Sequence, residues 1–136
     1  MLEKILCVDD DAITLMLCKK VIERISFAQE VVTAKNGEEA IVYFDELAQQ
    51  HQSQGTAFYP KLTFLDLNMP IMNGWEFLDS YLKKGYCEVF PEAEFIVLSS
   101  TIDPQDVEKT KVYPMVIDFL SKPITKEMLE ELKLKI

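Results

Sequence analysis

The chain has 136 residues, of which 49% are hydrophobic and 27% are charged, and its formal net charge at pH 7 is −9. This length suits one domain with a real hydrophobic core, and no apolar run approaches the roughly 20 residues of a membrane helix. The negative charge is spread along the chain without a basic stripe, which argues against direct binding to nucleic acid.

The first residues, MLEKILCVDDD, are short and acidic, whereas a secretory signal peptide is basic, apolar and cleavable. We therefore expect a cytoplasmic protein without membrane association. The cysteines Cys7, Cys18 and Cys87 show neither a disulfide framework nor a metal-binding spacing. Cys7 and Cys18 lie in apolar stretches, where a reduced thiol packs well.

Five apolar runs with strand character recur along the chain, and each precedes a segment of helical spacing or propensity. In order, they are KILCV, EVVTA, KLTFLDL, EFIVLSS and VIDFL. Strands that are apolar on both faces belong to a parallel sheet with helices on each side, joined by right-handed crossovers. The pattern predicts one α/β domain over residues 1–136, with a doubly wound five-stranded parallel sheet.

Helix boundaries follow from capping residues and prolines. Asn36-Gly37 begins the second helix, Asp103-Pro104 begins a short helix that Pro114 ends, and Thr125 begins the last one. The polar stretch AQQHQSQGTAFYP predicts an extended helix end followed by a mobile loop. His51, the single histidine, lies there and is interpreted as solvated, because it lacks the apolar helical setting of a phosphotransfer histidine.

Chemically active side chains follow four of the five predicted strands. They are Asp9, Asp10 and Asp11 after the first, Asp66 after the third, Ser99, Ser100 and Thr101 after the fourth, and Lys122 with Pro123 after the fifth. Each group alone is ordinary, as a helix cap, a turn or a surface loop. Because ligands of open α/β sheets bind at the carboxyl ends of the strands, these groups are expected to converge on one edge.

The convergence of several carboxylates predicts a divalent cation, since without one they would raise one another's pKa. All-oxygen ligands favour Mg²⁺, with Mn²⁺ as an alternative, over zinc. An ionised acid at a strand tip beside such an ion suits a nucleophile toward a phosphoryl group, so Asp66 is the predicted nucleophile. The Lys122 ammonium and the Ser99 hydroxyl would then meet the charge on the phosphoryl oxygens.

In this order the motifs VDDD, LDLNMPIMNG, VLSS and FLSKP resemble the receiver domain of two-component response regulators, over essentially the whole chain. The resemblance implies a flavodoxin-like (βα)5 receiver fold with strand order 2-1-3-4-5. It also implies that Asp66 is the phosphoacceptor and that Mg²⁺ is held by Asp9, Asp10, Asp66 and the backbone carbonyl of Asn68. Ser99 would supply the switch hydroxyl. Lys122 would be the active-site lysine, followed by a cis bond to Pro123.

Phe119 stands three positions before Lys122, where the resemblance places the family's switch aromatic residue. It lacks the hydroxyl of the commoner tyrosine, so its preference for the inward orientation is expected to be larger. The alternative is that Phe119 is a permanent core residue, as aromatic residues near strand ends usually are.

The resemblance also implies partners. A sensor histidine kinase or a histidine phosphotransfer protein would supply the phosphoryl group, and residues 103–135 would bind a downstream protein target. We expect a stand-alone, chemotaxis-regulator-like receiver rather than an excised module, and a monomer, with phosphorylation-dependent dimerisation left open. It would be a signalling phosphoacceptor rather than an enzyme, with self-catalysed phosphoryl transfer and slow autodephosphorylation.

The first helix carries a further expectation about docking. Helical spacing predicts an inward stripe of Thr14, Leu17, Cys18, Val21 and Ile25. Ile13 and Met16 would then point outward beside the active edge and dock a histidine-bearing helix of the partner.

Two other functions compete with the receiver interpretation. A phosphatase of the haloacid dehalogenase type needs a second acid two positions after its nucleophile, where this chain has Asn68. An FMN binder needs a hydroxyl- and glycine-rich loop after the first strand, where this chain has acids. A receiver fold that no longer takes phosphate would usually lack Asp10, Asp66 or Lys122.

Overall fold

The computed structural model describes residues 2–55 and 58–135, which form five strands and six helices. In chain order the elements are β1 (Leu2–Val8), α1 (Ala12–Arg24), β2 (Ala28–Ala34), α2 (Gly37–Gln54), β3 (Leu62–Leu65), α3 (Gly74–Lys83), α4 (Tyr86–Val89), β4 (Glu94–Ser99), α5 (Pro104–Thr110), β5 (Val116–Ser121) and α6 (Lys126–Lys135). All strand pairs are parallel, in the order β2-β1-β3-β4-β5, which confirms the predicted fold class and strand order.

The helices begin at the predicted capping residues. The Asn36 side chain accepts a hydrogen bond from the Glu39 N–H, the Asp103 side chain accepts one from the Gln105 N–H, and α5 ends before Pro114. The second helix extends to Gln54, as the polar stretch predicted, and the loop predicted to be mobile includes residues 56–57, which lie outside the described residues. His51 is exposed on this helix.

The sequence pattern does not predict α4, a four-residue helix between α3 and β4. It begins after Gly85, whose φ of +74° is in the left-handed region that glycine adopts without steric cost. One turn is too short to produce a visible apolar period, so the sequence pattern could not separate it from a loop.

Two apolar layers cover the faces of the sheet. On one face, α2, α3 and α4 pack against the strands around Phe44, and on the other face α1 and α6 pack against Ile5, Cys7 and Phe64. None of the helices among the described residues is long and apolar enough to cross a membrane.

The predicted inward stripe of α1 is partly wrong. The buried residues are Leu15, Cys18 and Ile22, whereas Leu17 is 46% exposed. Thr14, Val21 and Ile25 are only partly buried. Residues 12–18 are nearly all apolar, so the periodicity does not select one face, and contact with the sheet sets the helix rotation instead.

Candidate functional site: an acid cluster and a lysine at the carboxyl edge of the sheet

Backbone hydrogen bonding fixes the two buried acids side by side. The neighbouring strands β1 and β3 pair Val8 with Leu65, so the next residues, Asp9 and Asp66, leave the sheet together. The Asp66 N–H donates to the Val8 carbonyl at 2.9 Å, and the Asp9 N–H donates to the Ala34 carbonyl at 3.0 Å. These carboxylates are therefore positioned by the sheet rather than by flexible loops.

The structure brings together the three acids predicted to bind metal. Asp9, Asp10 and Asp66 each present a carboxylate oxygen, and these oxygens all lie within 4.8 Å of one another. Asp9 and Asp66 are buried, whereas Asp10 is exposed. A set of carboxylate oxygens that is open to solvent on one side fits a hard cation such as Mg²⁺, which usually retains several waters.

Lys122 adds a positive charge to this cluster of acids. Its Nζ lies 2.6 Å from Asp9 Oδ2 and 3.5 Å from Asp66 Oδ1. The lysine follows β5 directly, its backbone N–H donates to the Ser99 carbonyl at 2.7 Å, and its bond to Pro123 is cis. Burial alone would lower the pKa of Lys122, but the hydrogen bond to Asp9 and the charges of Asp66 and Asp9 raise it.

The surroundings of Asp66 disfavour its ionised form. Its burial and then the charge of Asp9 raise its pKa, although Lys122 and a hydrogen bond from the Asn68 backbone N–H partly oppose these effects. Asn68 is exposed, and ligation by its carbonyl remains a prediction.

The raised pKa of Asp66 predicts a pH-dependent gain in stability on replacing it with asparagine. A group whose folded pKa lies above its unfolded value, about 3.9 for aspartate, loses its contribution to stability as pH rises through the folded pKa. In metal-free buffer at pH 7, Asp66→Asn should therefore unfold at a higher temperature than wild type. Lys122 would keep its partner, Asp9.

Thermal unfolding in chelator, followed by circular dichroism, measures this difference as a function of pH. The difference between Asp66→Asn and wild type should shrink as pH falls toward about 4, while Glu3→Gln, a change at an exposed acid, should behave as wild type throughout. An Asp66→Asn variant that is less stable at pH 7 would contradict the electrostatic interpretation.

The start of α3 lies close to the Asp66 backbone because residue 74 is a glycine. The sequence pattern did not predict this contact. The Gly74 N–H donates to the Leu67 carbonyl at 3.0 Å, and a Cβ atom here would lie 2.5 Å from the Asp66 carbonyl oxygen. Any larger residue would therefore displace the backbone of Asp66. The only sequence indication was that Gly74 lies in the turn after Asp66.

The predicted switch residues lie on β4, which pairs with β3, and on β5, which pairs with β4. Ser99 is buried at the end of β4, and its Oγ accepts a hydrogen bond from the Thr101 N–H at 3.4 Å. Phe119 on β5 pairs with Val97 on β4, is only partly buried, and belongs to neither core layer. Both its role as a switch and the alternative of a permanent core residue remain predictions.

Exposed apolar residues lie on two segments that follow this edge, α1 and the loop after β3. Ile13 and Met16 of α1 are 64% and 48% exposed, as predicted, and Leu17 adds to the same helix surface. Ile71, in the loop after Asp66, is exposed with a φ of +71°, which is uncommon for a β-branched residue.

An open parallel sheet of five strands in this order, with acids and a lysine at its carboxyl edge, is a flavodoxin-like fold with an acidic site at the ends of its strands. Residues 5–133 match the family model of the response regulator receiver domain. The chain therefore belongs to the receiver domain family of two-component response regulators.

Similar proteins agree with this assignment. The probable C4-dicarboxylate response regulator DctR of Priestia megaterium is 26% identical over 127 residues, covering 93% of this chain and 48% of that protein. An uncharacterized response regulatory protein of Staphylococcus epidermidis is 32% identical over 102 residues, covering 75% of this chain and 33% of that protein. The chain thus spans about half of the first relative and a third of the second.

A solved structure is similar over nearly its full length. The crystal structure of a two-component response regulator from Cytophaga hutchinsonii has a TM-score of 0.84 and 30% identity, covering 98% of this chain and 96% of that one. This likeness includes both the sheet and the helices around it.

Proposed function

We propose that this receiver domain accepts a phosphoryl group on Asp66 from a sensor histidine kinase or a histidine phosphotransfer protein. One observation carries the proposal: the buried Asp66 carboxylate lies within 4.8 Å of Asp9 and Asp10 oxygens and 3.5 Å from the Lys122 ammonium. A nucleophile, a cation-binding set and a fixed positive charge therefore share one edge of the sheet.

In the proposed reaction, an Asp66 carboxylate oxygen attacks phosphorus in line with the phosphorus–nitrogen bond of the donor phosphohistidine. A phosphorus–oxygen bond forms, the phosphorus–nitrogen bond breaks, and the imidazole leaves with the bonding electron pair and takes up a proton. Asp9, Asp10, Asp66 and the Asn68 carbonyl would hold Mg²⁺, or Mn²⁺ in its place. When bound, the ion would neutralise charge on the phosphoryl oxygens.

Lys122 and Ser99 contribute the remaining stabilisation. The ammonium group lies between Asp9 and Asp66, close enough to contact an oxygen of a phosphoryl group on Asp66. The Ser99 hydroxyl lies at the end of the next strand, where it would donate to another phosphoryl oxygen. Turning it inward would change its contact with the Thr101 N–H and open space for Phe119.

The output is proposed to be a surface change in residues 103–135, which include α5, β5 and α6. A phosphoryl group adds about 1.5 to 2 negative charges, which Ser99 and Phe119 would couple to this surface. Val112, Ile117 and Leu134 are exposed apolar residues on these segments, which is consistent with a protein target. Phosphorylation-dependent dimerisation through this surface remains an alternative.

Docking of the phosphodonor is proposed at the start of α1. Ile13 and Met16 are exposed in the first two turns of α1, the helix that follows Asp9 and Asp10, and could contact an apolar face of a histidine-bearing helix. The domain is proposed to be a phosphoacceptor with slow autodephosphorylation rather than a phosphatase, because Asn68 cannot act as the general acid that turnover requires. A cytoplasmic location remains a prediction from the sequence.

The test is phosphorylation by a small donor. Incubation with acetyl phosphate and Mg²⁺ should add the mass of one phosphoryl group to the wild-type chain, as measured by intact mass spectrometry. Excess chelator or Asp66→Asn should abolish this addition. Equal labelling of the wild type and of Asp66→Asn would overturn the proposal.

A further inference from the structure

Two cysteines that look unrelated in the sequence lie together beneath the acid cluster. Cys7 on β1 and Cys18 on α1 are 2% and 3% exposed, and they belong to the same apolar layer. Both are free thiols, and their mutual interaction raises the pKa of the Cys7 thiol and lowers that of the Cys18 thiol. The third cysteine, Cys87, is partly exposed and packs against the opposite layer.

The thiol pair is next to the proposed phosphorylation site. Cys7 and Cys18 line a small cavity that Asp9 and Asp66 also line. Oxidation of the pair would join β1 to α1 and close a ring around residues 8–17. Asp9 and Asp10 lie inside that ring. They are the two proposed metal ligands that follow β1.

We propose that Cys7 and Cys18 form a reversible intramolecular disulfide on reaction with a low-molecular-weight disulfide, and that this bond slows phosphorylation of Asp66. The second part of this proposal rests on the proposed function. In the exchange, two S–H bonds and the disulfide bond of the reagent break, and one protein S–S bond forms. The two electrons and two protons released by the cysteines reduce the reagent to two thiols.

The effect on phosphorylation follows from how α1 is attached to the acid cluster. A disulfide holds its sulfurs about 2.05 Å apart, which is closer than two unbonded sulfur atoms can approach, so the bond would draw α1 toward β1. Asp11 transmits such a shift, because its carboxylate accepts from the Ile13 N–H of α1 and its own N–H donates to Asp9 Oδ1, both at 2.9 Å. Mg²⁺ requires near-octahedral ligand geometry and tolerates such displacement poorly.

Burial of both thiols sets the conditions of the reaction. A reagent reaches them only when the first turns of α1 separate from the sheet, so oxidation should be slower than reaction at Cys87. A Cys87→Ser background therefore removes the accessible thiol and prevents crosslinks between copies of the chain.

The experiment uses the full chain with Cys87→Ser and oxidised glutathione as the reagent. After treatment, free thiols are alkylated in denaturant and counted by intact mass. The oxidised protein should carry two fewer alkyl groups than the reduced protein and no added glutathione. Its rate of phosphorylation by acetyl phosphate at fixed Mg²⁺ should fall about 10- to 100-fold, and a reductant should restore it.

The matched control is Cys18→Ala in the same background, which cannot form the bond. Its phosphorylation rate should be the same before and after treatment with oxidised glutathione. A stable mixed disulfide with glutathione, or two alkylatable thiols after prolonged treatment, would overturn the proposed bond. A disulfide that leaves the rate unchanged would overturn its regulatory effect.

Failure of the proposed function gives a different result. If even the reduced protein takes up no phosphoryl group, Asp66 is not a phosphoacceptor, whereas the alkylation count still shows whether the disulfide forms. The disulfide and the phosphorylation site are thus tested by separate measurements.

Discussion

Replacing Lys122 with alanine is expected to slow phosphorylation of Asp66 by acetyl phosphate about 100-fold or more, the usual cost of losing one fixed group that stabilises transition-state charge. The reason is the position of Nζ, 2.6 Å from Asp9 and 3.5 Å from Asp66, which places one positive charge between two buried carboxylates. Initial rates from intact mass spectrometry at fixed Mg²⁺ measure the loss.

The matched control is Lys126→Ala. Lys126 is an exposed lysine four residues along the chain, paired with Glu130 at 3.9 Å on the surface of α6. Its removal should leave the rate within about twofold of wild type, since Lys126 pairs with Glu130 on the surface rather than with Asp9 or Asp66. A Lys122→Ala protein that is folded and phosphorylated at the wild-type rate would show that this ammonium does not act on the phosphoryl group.

Replacing Phe44 with alanine is expected to lower the free energy of unfolding by about 3 to 5 kcal/mol. Phe44 is fully buried on α2, and its ring centroid lies 5.2 to 6.1 Å from those of five other rings. Its removal would leave a cavity in the larger apolar layer that surrounding rings cannot fill without leaving their rotamers. Urea denaturation followed by circular dichroism measures the change.

Phe58→Ala serves as the control for this substitution. Phe58 is 75% exposed, so its truncation should change the free energy of unfolding by no more than about 0.5 kcal/mol. If Phe44→Ala cost less than about 1 kcal/mol, the layer between α2 and the sheet would be less tightly packed than the ring contacts indicate.

The sequence predicts the fold and the acid cluster because both depend on regularities of parallel sheets. Apolar runs at regular spacing identify the strands, and the carboxyl ends of parallel strands share one edge. Asp9, Asp66, Ser99 and Lys122 could therefore be placed together although they lie far apart in the chain. The carboxylates at that edge are in turn the predicted metal ligands.

Features that depend on packing could not be predicted in the same way. The rotation of α1 was misjudged, with Leu17 outside and Leu15 inside, because residues 12–18 are nearly all apolar. The proximity of Cys7 and Cys18 was also missed, although Cys18 was correctly placed on the inward side, because helical periodicity does not show which strand residue a helix residue faces. The close approach of Gly74 to the Asp66 carbonyl arises from the path of a loop, which residue spacing does not encode.

The proposed phosphorylation of Asp66 is tested most directly by locating the modified residue. After incubation with acetyl phosphate and Mg²⁺, borohydride reduction converts phosphoaspartate to homoserine, and trypsin releases the peptide spanning residues 62–83. If Asp66 carries the phosphoryl group, homoserine should replace aspartate at position 66 and at no other aspartate position. Modification at Asp9 or Asp10, or an unreduced Asp66 in protein that had gained a phosphoryl group, would contradict it.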